Sequence, residues 1–316
     1  MGLRQRAIVL AKLETTYGTD AVPSAASDAI LAFNPTINPV GAKIVRDPMR
    51  DTISPSPGLI GSRYVEFTFE TDLYASGAAG TAPRAGALFQ ACSMTETIVA
   101  LTSATYKPNS LGTSAKSVTI YYYADEGANA RLHKITGCVG TFELVAKAGE
   151  PARLRWTFRG LYAVPTSVAF PTPTYEAGIN TPPKALSTNL TVNAISTFVA
   201  QQVTITLENM IATRPDVNSA TGIKGFVITD RKGKGTWNPE SFPIATYDLW
   251  TDWINATLRQ LSMVLGSGAG NICTITCPKL MIDDIQQQER EKLEIWNIPF
   301  SLAYNTGDDE ISIVYT

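Results

Sequence analysis

The stretch Tyr64-Val65-Glu66-Phe67-Thr68-Phe69-Glu70-Thr71-Asp72-Leu73 alternates without a break. Successive side chains of an extended chain point to opposite faces, so Glu66, Thr68, Glu70 and Asp72 share one face. Val65, Phe67, Phe69 and Leu73 share the other. A strand with one dry and one wet face belongs to a sheet packed on one side only. The same parity recurs where Gln202, Thr204, Thr206 and Glu208 alternate with Val203, Ile205 and Leu207. It recurs again where Arg153, Arg155 and Arg159 alternate with Leu154, Trp156 and Phe158. The fold class expected is mainly β, in sandwich or barrel form. Helical spacing is confined to two places. After Pro83 the residues Ala85, Leu88, Phe89 and Cys92 fall on one stripe. After Pro243 the stripe is Trp250, Trp253, Ile254, Thr257, Leu258 and Leu261, with Asp248 near its start. Each stripe predicts a short α-helix whose apolar side covers a sheet.

Composition narrows the function. Of 316 residues, 44% are hydrophobic and only 17% charged, against about 25% charged in ordinary domains. Such a surface is uncharged-polar or hidden in contacts with other chains. Lys+Arg number 26 and Asp+Glu 28, for a net charge of -2, which lacks the positive footprint of a nucleic-acid binder. A lone histidine, His133, rules out multi-histidine metal sites, and no Gly-x-Ser-x-Gly elbow occurs. No cofactor is expected. There is no apolar run long enough to span a membrane as a helix and no leader-like N-terminus, so a chain kept soluble in the cytoplasm is expected. Cys92, Cys138, Cys273 and Cys277 are expected as buried thiols. Cys273 and Cys277 lie in a strand-like run that holds them about 13 Å apart, too far for a disulfide. The Gly266-Ser267-Gly268-Ala269-Gly270 run has no following Lys-Ser/Thr and reads as a turn.

The order of features in the first part of the chain returns in the second, at spacings near about 165 residues. Ile30 and Phe33 return as Ile195 and Phe198, Arg46-Asp47-Pro48 as Arg214-Pro215-Asp216, and Leu59-Ile60-Gly61 as Gly222 to Gly225. A strand follows near Tyr64 and near Phe226, then a helix, then a closing hairpin containing Trp156 or Trp296. The expectation is two tandem domains, residues 1–165 and 184–316, each with a short flanking α-helix. Between them lies a Pro-rich linker over residues 166–183. Residues 93–138 are an extra segment of the first domain. Residues 1–165 carry 16 basic and 13 acidic side chains and the remainder 10 and 15, opposite signs that favour head-to-tail pairing.

The run Leu13-Glu14-Thr15-Thr16-Tyr17-Gly18-Thr19-Asp20, then Ile30-Leu31-Ala32-Phe33, then the strand from Tyr64 to Leu73, resembles the tail tube proteins of long-tailed bacteriophages. So does the small-residue run Ser76 to Pro83 that leads into the helix. The resemblance is strongest over residues 5–95. In the second half it rests on element order, through Asp216-Val217-Asn218-Ser219 and Phe226-Val227-Ile228-Thr229-Asp230. It implies a structural virion protein, assembled in the host cytoplasm, whose sandwiches join as rings with a continuous inner barrel and stack into a hollow tail. Open sheet edges are templates for another chain, and ring closure satisfies all of them. Single-domain members form rings of six, so two tandem domains imply three copies per pseudo-sixfold ring, with six as the alternative. Partners implied are further copies of the chain, a tape-measure protein, tail-end proteins, and DNA in transit without specific binding; no membrane is implied.

For the bore, an acidic wall lets a polyanion slide without gripping it. The candidates are Glu66, Thr68, Glu70 and Asp72, with Thr204, Thr206 and Glu208 from the second half. The alternative is that these form a solvated outer sheet face. Ring stacking is assigned to the loop from Asp47 to Gly58, through Asp47, Arg50, Asp51, Thr52 and Ser54, and to its counterpart, through Arg214, Asp216 and Asn218. A plain connecting loop is the alternative. Two other functions compete. One is a β-sandwich module of a virion that binds a host surface or carbohydrate. The other is an enzyme using Asp283 with Asp284 or Glu289 with Glu291, although adjacent strand residues face opposite ways. The run Gln286 to Lys292 reads better as a solvated hairpin tip.

Overall fold

The computed structural model describes residues 2–3, 5–110, 116–176, 182–186 and 188–316. Parts of the extra segment (111–115) and of the expected linker (177–181) lie outside the described residues. Of the described residues 52% are in strands and 4% in helices. The first half contains β1 (Ala7–Leu13), β2 (Ala29–Ile30), β3 (Phe33–Ile44), β4 (Leu59–Asp72), α1 (Gly86–Ala91), β5 (Met94–Val99), β6 (Ser103–Pro108), β7 (Val118–Asp125), β8 (Ala130–Lys147), β9 (Arg153–Leu161) and β10 (Thr166–Val168). The second contains β11 (Thr191–Val192), β12 (Ala200–Thr206), β13 (Asn209–Pro215), β14 (Ile223–Arg231), β15 (Lys234–Pro239), α2 (Leu249–Ile254), β16 (Arg259–Leu265), β17 (Cys273–Ile282), β18 (Gln286–Arg290), β19 (Leu293–Ala303) and β20 (Ser312–Tyr315).

Pairing follows the same order twice. In the first half β3, β4, β9 and the end of β8 lie side by side, all antiparallel. In the second half β12, β15, β19 and β17 with its continuation β18 repeat that order. β8 belongs to two layers, because its first part pairs instead with β7, which pairs with β1. A bulge between Thr136 and Val139 makes the change of layer possible. Gly137, at its centre, has φ +60°, and a side chain there would meet the Tyr17 ring. β17 likewise pairs with β16 and β20 through its first part. The hairpin β5–β6 of the first half joins this second outer layer at β20.

Aromatic side chains fill the space between layers. Phe67, Phe158 and Phe300 are fully buried, as are Trp156 and Trp237. α1 inserts Phe89 against Tyr106, Phe142 and Trp156, with ring centroids 5.0, 5.2 and 5.1 Å apart. All four cysteines are buried free thiols, and burial pushes the thiol of Cys277 up to about 12.

α2 departs from expectation. The helix stops at Ile254, the chain turns through a left-handed Ala256, and Leu261 belongs to β16. Only Leu249 and Asp252 of the helix are buried, while Trp250, Trp253, Ile254 and Leu258 are exposed. The inward turn of Asp252 has a clear cause: the Arg259 guanidinium donates to both of its carboxylate oxygens, at 2.7 and 2.6 Å. Of the predicted apolar stripe, Leu261 alone is fully buried, while Trp250, Trp253, Ile254 and Leu258 lie largely on the outside, Trp250 keeping an edge contact with Trp296. The residues around 166–176 are extended but tied down. Thr166–Val168 pairs with Ala130–Leu132, and the backbone N–H of Arg84 donates to Glu176 at 3.1 Å.

Candidate functional site: one polar face, one internal seam and two open edges

The polar sides of β4, β9 and β8 form one surface. Cross-strand register puts Thr68 beside Thr36 and Thr157, and Thr157 beside Thr141. Along the same face Glu66 accepts from Arg159 at 3.0 Å, Glu70 from Arg155 at 3.2 Å, and Asp72 from Arg153 at 3.3 Å. Arg155 also reaches Glu143 at 3.2 Å. Burial pushes the carboxyl of Asp72 above its ordinary value, although Arg153 pulls it down. The sequence reading expects an acidic wall from these carboxylates. In the folded chain each is matched by an arginine of β9, so the surface is a lattice of compensated charge. The arginines were visible in the sequence as an alternating series, but only the β4–β9 ladder shows that they stand beside the acids.

The two halves meet at a ladder between β8 and β12, from Gln202 against Lys147 to Thr206 against Glu143. The polar face crosses this seam. Thr206 sits beside Glu143 and Thr204 beside Val145, and the Thr204 and Thr236 hydroxyls are 2.7 Å apart. Six of the seven candidates for the bore thus lie on one side of one continuous sheet. Glu208 follows the end of β12 with a left-handed backbone (φ 46°) and pairs with Lys234 at 2.7 Å.

Other contacts bind the halves together. The Tyr17 hydroxyl donates to the Gly137 carbonyl at 3.1 Å and accepts from the Phe226 N–H at 2.7 Å. Burial pushes that phenol up to about 12. Glu14, in the same N-terminal run, accepts from the Gly18 and Gly137 N–H groups and from the Ser117 and Thr119 hydroxyls. The β13–β14 hairpin lies across the first half, with Ile223 and Phe226 buried against Val139, Tyr64 and Leu161. Its turn touches β4, where the Arg63 N–H donates to the Thr221 carbonyl at 3.0 Å. Asn218 and Val217 at its tip are exposed.

At the far ends the pattern is open. β3 pairs with β4 alone, and β18 with β19 alone; among the described residues no strand occupies their outer edges. Pro35 and Pro39 suit an edge strand, since neither has an N–H to contribute. Glu291 and Lys292 form the two-residue turn between β18 and β19, both with positive φ. That turn makes Arg290–Leu293 the hydrogen-bonded pair, so the backbone groups of Gln287 and Glu289 aim away from β19. The segment 45–58 between β3 and β4 is exposed: Asp47, Arg50, Asp51, Thr52 and Ser54 face solvent, as do Val45, Met49 and Ile53. Thr52 and Ser54 bond to each other. Arg214 is exposed and Asp216 half-buried.

The other candidates scatter. His133 stacks on Tyr122 in β7, and burial lowers its imidazole below the ordinary value. Asp283 receives the Ser301 hydroxyl while Asp284 receives the Ile285 N–H, so the two carboxylates are held apart in separate local bonds. A search of curated protein sequences returns no significant match. The sequence model of the phage tail tube protein family matches residues 4–314, essentially the length of the chain, and the chain belongs to that family.

Proposed function

We infer that this protein is the structural subunit of a tail tube whose rings close edge to edge, β18 of one copy pairing with β3 of the next. The observation that carries this reading is the seam inside the chain. There the last strand of the first four-stranded unit, β8, pairs with the first strand of the second, β12. The exposed edges at the two ends are the corresponding strands, so the same ladder repeated between copies leaves no edge open. Residues 1–165 and 184–316 act as two tube domains, and three copies complete a pseudo-sixfold ring; six copies is the alternative stoichiometry.

The bore is lined by the polar face bearing Glu66, Thr68, Glu70, Asp72, Thr204 and Thr206, with Glu208 at its margin. Charge compensation by arginines keeps that wall from presenting a continuous cationic track to DNA, while threonine rows offer only neutral hydroxyls. The loop bearing Asp47, Arg50, Asp51, Thr52 and Ser54, and the hairpin end bearing Arg214, Asp216 and Asn218, reach the next ring. A tape-measure protein and tail-end proteins are partners by family membership alone. The test is native mass measurement of isolated rings with electron microscopy of concentrated protein. Three chains per ring in tubes of uniform diameter is the expected result. Six chains overturns the two-domain stoichiometry, and a chain that stays monomeric at high concentration overturns the reading itself.

A further inference from the structure

The repeated strand order gives each helix a counterpart, and the counterparts are covered differently. The Cys92 carbonyl at the end of α1 accepts from Nδ2 of Asn209 at 2.8 Å, so the second half's hairpin rests on that helix end. The body of α1 lies under β5 and β6. Only residues 255–258 separate α2 from β16, so no such hairpin follows it, and among the described residues Trp253 and Ile254 on its outer side stay exposed. Trp253 is 43% exposed and Ile254 74% exposed. Trp253 is held in place by its indole N–H, which donates to the Asp283 carbonyl at 3.1 Å.

Strand register says what should lie there. The row Ile37, Phe67, Phe158 matches the row Val203, Trp237, Ile298. By that match Lys43 of β3 holds the place of Asn209. Lys43 pairs with Ile60 and Ile44 with Leu59, and Ile44, Leu59 and Ile60 are 49%, 51% and 64% exposed. This second apolar patch stands at the opposite end of the strand order from α2.

We propose that the outer face of α2, around Trp253 and Ile254, is a contact surface for a second copy of this chain, occupied by that copy's β3–β4 hairpin at Lys43, Ile44, Leu59 and Ile60. The inference rests on the ring reading above and adds the side-chain contact that accompanies the edge ladder. The two patches differ, so the contact is head to tail and propagates around a ring. Lys43 would bring a cation to the C-terminal carbonyls of α2, the sign of charge that a helix end favours.

The test uses the full chain with Ile254→Lys, Ile60→Asp and the two combined. Folding is checked by near-ultraviolet circular dichroism, and assembly by sedimentation and electron microscopy. Each single variant should remain folded and need about tenfold more protein to assemble. The double variant, with opposite charges facing across the contact, should recover most of that loss. In parallel, Ile254→Cys with Ile60→Cys should give chains linked through a bifunctional maleimide, since the native cysteines are buried. Wild-type tubes alongside unimpaired single variants and no cross-link overturn this contact while leaving the ring reading intact. Single variants that fail, with neither rescue nor cross-link, overturn the pairing of these two patches. Wild-type protein that never associates overturns both.

Discussion

The β13–β14 hairpin and the 45–58 loop occupy the same place in the repeated strand order, yet one is packed and the other is not. The first lies on the opposite half of its own chain, with Ile223 and Phe226 buried. The second extends from β3 and β4 with Met49 and Ile53 fully exposed. α1 and α2 differ in the same way. In both comparisons the covered element faces the internal seam, and the uncovered one belongs to an end of the strand order. Similar elements differ because one has a neighbour within the chain, and under the proposed ring closure the exposed set is where the next copy would sit.

The sharpest way to break that comparison is to strike the two ladders separately. Ile205 lies in the internal ladder and is fully buried. Ile205→Asp puts an unpaired carboxylate in the core, and a loss of about 4 kcal/mol or more is expected, enough to abolish folding. Glu289→Pro removes a backbone donor from the open edge, and its cost to the isolated chain should stay within about 1 kcal/mol. Chemical denaturation reads the first, and assembly at constant stability reads the second. Folded Ile205→Asp protein, or tubes from Glu289→Pro, would remove the distinction between seam and edge.

Tyr17 comes next in size. Its hydroxyl joins the first half, through Gly137, to the second, through Phe226. Tyr17→Phe leaves a buried N–H and a buried carbonyl without that partner, and about 1–3 kcal/mol should be lost in urea unfolding. An unchanged midpoint would mean that the hydroxyl contributes nothing to joining the halves.

Much of this was legible locally. The parity from Tyr64 to Leu73 is a β4 sequence, the Cys273–Cys277 run is a buried strand, and the stripe after Pro83 is α1. What failed was non-local. The stripe at Trp250, Trp253 and Ile254 has helical spacing whether a sheet or nothing lies beneath it, and the deciding contact, Arg259 drawing Asp252 inward, lies outside that stripe. Matching Phe226 to Tyr64 by sequence was similarly misled, because cross-strand register gives the place of Tyr64 to Lys234. Phe226 belongs to the packed hairpin that answers the 45–58 loop. The arginine partners of Glu66, Glu70 and Asp72 lie more than eighty residues away. Only the β4–β9 pairing brings them together.

Asp252 permits a smaller, pH-dependent test of why α2 turns its apolar side outward. Burial pushes this carboxyl up, but the hydrogen bonds from Arg259 and the charge of that guanidinium, together with Tyr247 and Thr257, outweigh burial and leave it below its ordinary value of 3.8. A carboxylate depressed in the folded state contributes stability that is present above the unfolded value and lost as pH falls through the folded one. Thermal melting should therefore show a drop below about pH 4 that Asp252→Asn flattens, with α2 loosened in the variant at neutral pH. An identical acid limb in the variant would assign that loss to other carboxylates.

The smallest expected effect on stability is at the polar face. Glu70 bridges Arg153 and Arg155, whose side chains are themselves partly in solvent. Exposed pairs contribute little, so Glu70→Gln should change unfolding free energy by less than about 0.5 kcal/mol. Its consequence should appear in affinity for polyanions. The substitution removes the carboxylate that Arg153 and Arg155 share, leaving Arg153 on Asp72 alone and Arg155 on Glu143 alone, and a guanidinium with fewer carboxylate bonds is more available to a phosphate. Tubes of the variant should retain short duplex DNA at low salt and release it as salt rises, whereas wild-type tubes should retain little at either. Equal retention by both would mean that this face does not line the passage, and the loss of the compensated lattice would then matter only to a solvated outer wall.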